Sequence, residues 1–173
     1  LGLDPLRPTG VVMFGGQGSQ QMLRIARELD GVQLVLMCGR NELLAEQCRR
    51  LRRSAKHAVV GFTDEVADVM RLADFFIGKP GPGALSEAVQ LGLPVITIKN
   101  AWTMPQERYN AQWVQEQGVG LVVPSLSRIA AATQQMLQRL PEFHAVTAQS
   151  NNRAVFEVPE VLADLLHAQP APR

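Results

Sequence analysis

An α/β fold, with a parallel sheet of about six strands between two helical layers, is predicted by two features of the chain. Apolar, β-rich runs alternate with helical patterns almost from end to end, and two of those runs lead directly into glycine-rich turns. Each strand of such a sheet needs a crossover before its parallel neighbour, and a helix supplies it. The chain has 173 residues, enough for one well-buried domain. A single core over about 10–140 is expected, followed by a helical tail over 141–168.

Strands are expected at Val11 to Phe14, Leu34 to Cys38, Ala58 to Val60, Phe75 to Ile77, Val95 to Ile98 and Leu121 to Val123, each a short apolar run. Between them the pattern predicts helices near Gln20 to Leu29, Glu42 to Arg53, Asp64 to Leu72, Ala84 to Leu91, Gln106 to Gln117 and Leu126 to Leu140. Asn41 suits the start of the second helix, and Thr63 before Asp64 and Glu65 reads as the N-cap of the third. Gly92, with Pro94 beyond it, and Gly118 read as C-terminal caps. Pro141 breaks the pattern, and Pro159 to Leu166 reads as a last amphipathic helix with proline in its first turn. Gln169 to Arg173 is expected to fray.

Bulk properties exclude several classes. Net charge is +1 and no segment approaches the ~20 uninterrupted apolar residues of a membrane span, so neither a nucleic-acid partner nor a transmembrane anchor is expected. Cys38 and Cys48 have neither a metal-ligand spacing nor a disulfide framework, which suits a reducing, cytoplasmic compartment. His57, His144 and His167 are scattered, so zinc and a catalytic triad are not indicated. Neither end reads as a targeting peptide, and a start at Leu1 suggests a piece of a longer polypeptide.

The chemistry lies in the two turns. Lys79-Pro80-Gly81-Pro82-Gly83-Ala84 follows Phe75-Phe76-Ile77 and leads into a helix carrying Glu87, and Gly15-Gly16-Gln17-Gly18-Ser19 follows Val11-Val12-Met13-Phe14. Such turns offer unpaired N–H groups at the positive end of a helix dipole, which suits a phosphate, and a nearby carboxylate suits a sugar diol. In an open parallel sheet, ligands sit outside the carboxyl ends of the strands, so one nucleotide-sugar can meet both turns. A dinucleotide fingerprint fails here: Gln21 stands where a third glycine is needed, and the second strand ends Cys38-Gly39-Arg40 without an acid. Gly18-Ser19-Gln20-Gln21 is not a Walker loop either. With no Asp-x-Asp pair to hold a divalent ion, metal-independent chemistry with no cofactor is expected, and Lys79 and Arg40 are secondary candidates for balancing the phosphate charge.

With these residues in view, the chain resembles the C-terminal, donor-binding half of GT-B glycosyltransferases. It is most similar to the group holding monogalactosyldiacylglycerol synthases, bacterial diacylglycerol glucosyltransferases and the peptidoglycan N-acetylglucosaminyltransferase. The resemblance runs from about Val11 to Val123 through Gly15 to Gly18, Cys38-Gly39-Arg40-Asn41, Gly61-Phe62, Ala73-Asp74, Lys79 to Gly83, Glu87-Ala88, Gly92-Leu93-Pro94 and Gln106-Glu107 with Asn110. It implies a Rossmann-like sheet and the following roles. Backbone around Phe62 and Thr63 would pair with uracil, and Glu87 would bind the ribose. Gly81, Pro82, Gly83 and Ala84 would cradle the diphosphate with Gly16, Gln17, Gly18 and Ser19. Gln106, Glu107 and Asn110 would read the transferred sugar. The reaction implied is an inverting transfer of a hexose from a UDP-sugar to an acceptor hydroxyl, that of a diacylglycerol or other lipid-linked acceptor, at the inner face of the membrane. The general base, and hence the catalytic residue, would belong to an N-terminal acceptor domain absent from this chain. Two departures bear on sugar identity: Ala84 stands where many relatives have threonine, and Trp102-Thr103-Met104-Pro105 replaces the usual Pro-Gly.

Each signal also has a plain structural reading. Glu87 suits the first turn of any helix, Gly15 to Gly18 suits any tight strand-to-helix connection, and Gln106, Glu107 and Asn110 suit a polar helix face. Arg49, Arg52, Arg53 and Lys56 recur at helical spacing, a basic face that reads as solvated surface before it reads as a lipid contact. Rival functions are a UDP-N-acetylglucosamine 2-epimerase, the donor-binding subunit of a split transferase, and a nucleotide-sensing module.

Overall fold

In the computed structural model, which describes residues 1–150 and 152–167, six strands form one sheet. They are β1 (Thr9–Met13), β2 (Gln33–Gly39), β3 (His57–Gly61), β4 (Phe75–Gly78), β5 (Val95–Ile98) and β6 (Gly120–Val123). All pairings are parallel, in the order β3-β2-β1-β4-β5-β6. The strand order reverses between β1 and β4, so the connections leaving these two neighbours diverge and open a crevice at their carboxyl ends. The helices are α1 (Gln21–Glu28), α2 (Glu42–Arg49), α3 (Val66–Met70), α4 (Pro82–Gln90), α5 (Pro105–Gln117), α6 (Ile129–Gln138), α7 (Leu140–Thr147) and α8 (Ala154–His167).

Side-chain alternation along each strand divides the core into two layers. Val12, Leu34, Leu36, Phe75, Ile77 and Ile96 face α1, α2 and α6, whereas Val11, Val35, Met37, Phe76 and Val95 face α3, α4 and α5. This is the expected three-layer α/β/α arrangement. Both faces of the central strands are apolar because both are covered. At the strand starts Asp74 ties β1 to β4: its carboxylate accepts from the Thr9 amide at 2.7 Å while its own amide donates to the Thr9 carbonyl. The cap at Gly92 is a Schellman turn with φ of 79°, in which Leu93 N donates to Ala88 O and Gly92 N to Val89 O. Cys38 and Cys48 are both free and buried. The neighbouring thiols shift each other, Cys48 pushing Cys38 up from the usual thiol range and Cys38 drawing Cys48 down, while burial adds to the first shift and opposes the second.

Several local expectations are corrected. Helix α2 stops at Arg49, because Arg53 folds back instead of continuing it. Its guanidinium donates to the carbonyls of Ala26, Leu29 and Val32, closing the end of α1. Burial lowers its pKa, with the charge of Asp30 opposing. Residues 51–56 are not helical, so Arg49, Arg52, Arg53 and Lys56 share no helix face. Thr63 does not cap α3, since its hydroxyl accepts from Glu65 N in a local turn and the helix begins later, at Val66. The helix expected from Leu126 to Leu140 divides into a 3-10 turn (Leu126–Arg128) and α6, and α7 follows from Leu140. Pro141 sits in the first turn of α7 and starts that helix, where its missing N–H has no intrahelical acceptor in any case. Helix α8 begins at Ala154, leaving Pro159 inside it. The frayed end expected at Gln169 to Arg173 lies outside the described residues. No helix among the described residues is long and apolar enough to cross a membrane.

Arg53→Met keeps the apolar stem but leaves three carbonyls without their donor, so it lowers unfolding stability by about 2–3 kcal/mol in urea titration, the scale of hydrogen bonds to a charged group. A change below about 0.5 kcal/mol removes this capping role.

Candidate functional site

Register places the two glycine turns side by side. Met13, the last residue of β1, is level with Gly78, the last of β4. The turn after β1 is held from the neighbouring β2 end, where Arg40 N donates to Gly16 O at 2.9 Å and Asn41 Nδ2 to Gln17 O. Asn41 also caps α2, its Oδ1 accepting from Leu44 N at 2.9 Å. Contact is so close at Gly39, with φ of 59°, that a Cβ there would lie 2.2 Å from the Gly16 carbonyl oxygen. Gly39 is thus glycine for the fold.

Gly16 and Gly83 are different. Neither has positive φ, and a Cβ on either would meet nothing within 4 Å. The protein itself gives no steric reason for a bare backbone at these two positions. Helix α4 starts at Pro82 with Gly81 as its N-cap, so Gly83 and Ala84 lie in its first turn, where amides have no intrahelical acceptor. The preceding loop supplies none.

Two cavities flank the first glycine turn. One, of about 170 Å³, is lined by Gly15, Gly16, Gly61, Phe62, Thr63 and Glu87. Glu87 is half-buried in α4, and among the described residues no hydrogen bond or ion pair engages its carboxylate. Phe62 is half exposed with the Arg40 guanidinium 3.5 Å from its ring centroid, a cation–π contact that directs Arg40 to the aromatic rim. The other cavity, of about 530 Å³, is lined by Gly18, Ser19, Lys79, Trp102, Met104 and Glu107.

The residues grouped as Gln106, Glu107 and Asn110 separate in space. Glu107 is buried and lines the larger cavity, with Lys79 Nζ 2.9 Å from its Oε1. Asn110 donates to the Pro80 carbonyl at 2.8 Å, bracing the turn before α4, and borders a different groove between α4, α5 and α8. Gln106 is exposed and lines neither cavity. Helix geometry sets Glu107 about 100° round the axis from Gln106, but Glu107 and Asn110 are only about 60° apart and divide because Asn110 gives its amide to Pro80 while Glu107 pairs with Lys79.

Trp102, which the sequence marked only as part of a departure bearing on sugar identity, is 93% exposed at the mouth of the larger cavity. Its loop is braced: Trp102 N donates to Asn100 Oδ1, Asn100 N to Thr103 Oγ1, and the Arg108 guanidinium to the carbonyls of Ala101 and Thr103. A signal existed in the sequence, since tryptophan in the polar connection between β5 and α5 has no place in either core layer.

Comparison with known proteins agrees with this fold. The chain is 29% identical over 178 residues to monogalactosyldiacylglycerol synthase from Spinacia oleracea, a match covering 96% of this chain and 33% of that protein. It is 33% identical over 131 residues to the processive diacylglycerol beta-glucosyltransferase of Bacillus subtilis, covering 70% of this chain and 33% of the relative. The chain thus spans about a third of the length of these relatives. Among solved structures, MurG of Acinetobacter baumannii superposes with a TM-score of 0.72 at 15% identity, over 92% of this chain and 50% of that one, a likeness of fold. Residues 11–163 match the glycosyltransferase family 28 C-terminal domain, and the chain belongs to that family.

Proposed function

We propose that this chain is the donor-binding part of an inverting, metal-independent glycosyltransferase that moves a hexose from a UDP-sugar to a diacylglycerol or other lipid-linked hydroxyl. The observation that carries it is the meeting of two glycine turns at the β1–β4 crevice, with open space at both Gly16 and Gly83 where a side chain would otherwise fit. A diphosphate there would face the free amides at the start of α4 and the turn through Gly16, Gln17, Gly18 and Ser19.

The smaller cavity suits the nucleoside: the backbone of Phe62 and Thr63 at its edge would take the uracil, and Glu87 the ribose hydroxyls. A carboxylate accepts two hydrogen bonds from a vicinal diol, and Glu87 lines this cavity with no partner for its oxygens among the described residues. Beyond the turn, the larger cavity would hold the transferred sugar beside Glu107. During inverting displacement the acceptor oxygen attacks the anomeric carbon from the face opposite the phosphate, and negative charge grows on the departing diphosphate. Fixed N–H dipoles stabilise that charge without reorganising, which is why no metal is required. The general base and acceptor site would come from the remainder of a longer protein, working at the inner face of the membrane. The names of the spinach and Bacillus relatives support a lipid acceptor.

Gly83→Val leaves the unfolding midpoint unchanged or raised, because valine has the better helix propensity and its Cβ meets nothing within 4 Å, yet it weakens UDP at least tenfold in calorimetry run in EDTA, a loss of about 1.4 kcal/mol. UDP affinity equal to that of the parent would remove the diphosphate site. Glu87→Ala weakens UDP by about tenfold and abolishes the preference for UDP over 2′-deoxy-UDP, as expected for a lost pair of ribose contacts. Retention of that preference would sink the ribose assignment.

A further inference from the structure

The Lys79–Glu107 pair divides its burial unevenly: the carboxylate side chain is 8% exposed and the lysine 44%. Lys79 is the single hydrogen-bond or ion-pair partner of the Glu107 carboxylate among the described residues, and it takes Oε1 alone. The second oxygen, Oε2, has no partner. The buried side-chain polar atoms that lack one are Arg53 Nη1 and Thr133 Oγ1 among the described residues, so Oε2 is not sealed in the core. The open space that Glu107 borders is the 530 Å³ cavity. A largely buried carboxylate that lines this cavity therefore keeps one accepting oxygen without a partner among the described residues.

Lys79 is confined as well. Its stem leaves the end of β4 between the two glycine turns, with Cε 3.9 Å from the Cβ position of Gly15 and 3.3 Å from that of Gly81. The ammonium has two further donors, but its single positive charge is already balanced by Glu107, and withdrawing it fully to a diphosphate would strand a buried carboxylate. That is more costly than the return from an ion pair open to water. While the pair holds, its net charge is zero and it adds little to the attraction of an anion.

We propose that Lys79 is a positioning residue: it fixes the Glu107 carboxylate so that Oε2 accepts hydroxyl groups of the transferred sugar, and it is not the counter-ion of the diphosphate. The inference rests on the donor-site reading above and deepens it, replacing the phosphate role that the sequence suggests for Lys79. A carboxylate only accepts hydrogen bonds, so the ligand group at this wall is a donor, which under the donor-site reading is a hydroxyl of the hexose. The diphosphate charge is left to backbone amides of the two turns.

The test is calorimetric titration of UDP, UDP-glucose and UDP-galactose into the whole chain and into Lys79→Met, Lys79→Arg, Glu107→Gln and the Lys79→Met/Glu107→Gln double variant. Lys79→Met is expected to leave UDP within about twofold of the parent while weakening the better-bound UDP-hexose about tenfold, the scale of one charged hydrogen bond. Lys79→Arg restores the UDP-hexose affinity, and the double variant loses no more than Glu107→Gln alone, since both changes act on one contact. A fall in UDP affinity in Lys79→Met matching the fall for UDP-hexose makes Lys79 the counter-ion and overturns the proposal. An unchanged ratio of UDP-hexose to UDP affinity in Lys79→Met overturns it too. Should Lys79→Met fail to fold, the double variant, which carries no stranded carboxylate, and Lys79→Arg decide by the same ratio. Parent protein that binds no UDP removes the donor-site reading, and this inference with it.

Discussion

Parallel pairing of β1 with β4 is the constraint on which the rest of the site depends. These strands are far apart in sequence, yet the ladder from Gly10–Phe75 to Met13–Gly78 sets their carboxyl ends level. Because the helices that follow pack on opposite faces of the sheet, the two connecting turns must part above the strands. The crevice between them is a consequence of topology, and any ligand bound there is reached by both turns at once. Asp74 keeps the other end of this strand pair in step, bonding to Thr9 through both its carboxylate and its amide.

Around that crevice, glycines serve two distinct physical purposes. Gly39 is demanded by the protein, since the Gly16 carbonyl occupies the space a side chain would need. Gly16 and Gly83 face open space and have ordinary backbone angles. Positions of the first kind build the turn, and positions of the second kind leave it bare. A bare turn at a helix start presents amide dipoles that are already oriented, so an incoming anion meets a field that needs no rearrangement. Cations near the crevice are committed elsewhere: Arg40 lies over Phe62 and Lys79 is held by Glu107. The electrostatics of the site therefore rest on backbone more than on side-chain charge.

Much of this was legible in the chain itself. Short apolar runs separated by helical patterns specify a covered parallel sheet, because a strand buried on both faces has no polar side to show. Caps at Asn41, Gly92 and Gly118 are equally local, depending on the chemistry of one or two residues. The glycine turns were visible for the same reason. Expectations failed where a side chain acts at long range. Arg53 continues a helical pattern in sequence but in space closes α1 through carbonyls more than twenty residues away. Asn110 sits one turn from Gln106, yet its amide is spent on Pro80.

Local sequence chemistry by itself determined the alternation of strands and helices, the places where the chain turns, and the presence of bare backbone at two of those turns. Each depends on forces acting over a few residues: burial periodicity, dihedral preference and unpaired amides. Tertiary structure alone decided that the turns are neighbours, that Glu87 lines one cavity with no partner for its carboxylate among the described residues, and that Lys79 and Glu107 form a pair across 28 positions. Such facts follow from strand order and packing, and no local pattern encodes them, because the partners meet only when the sheet has assembled.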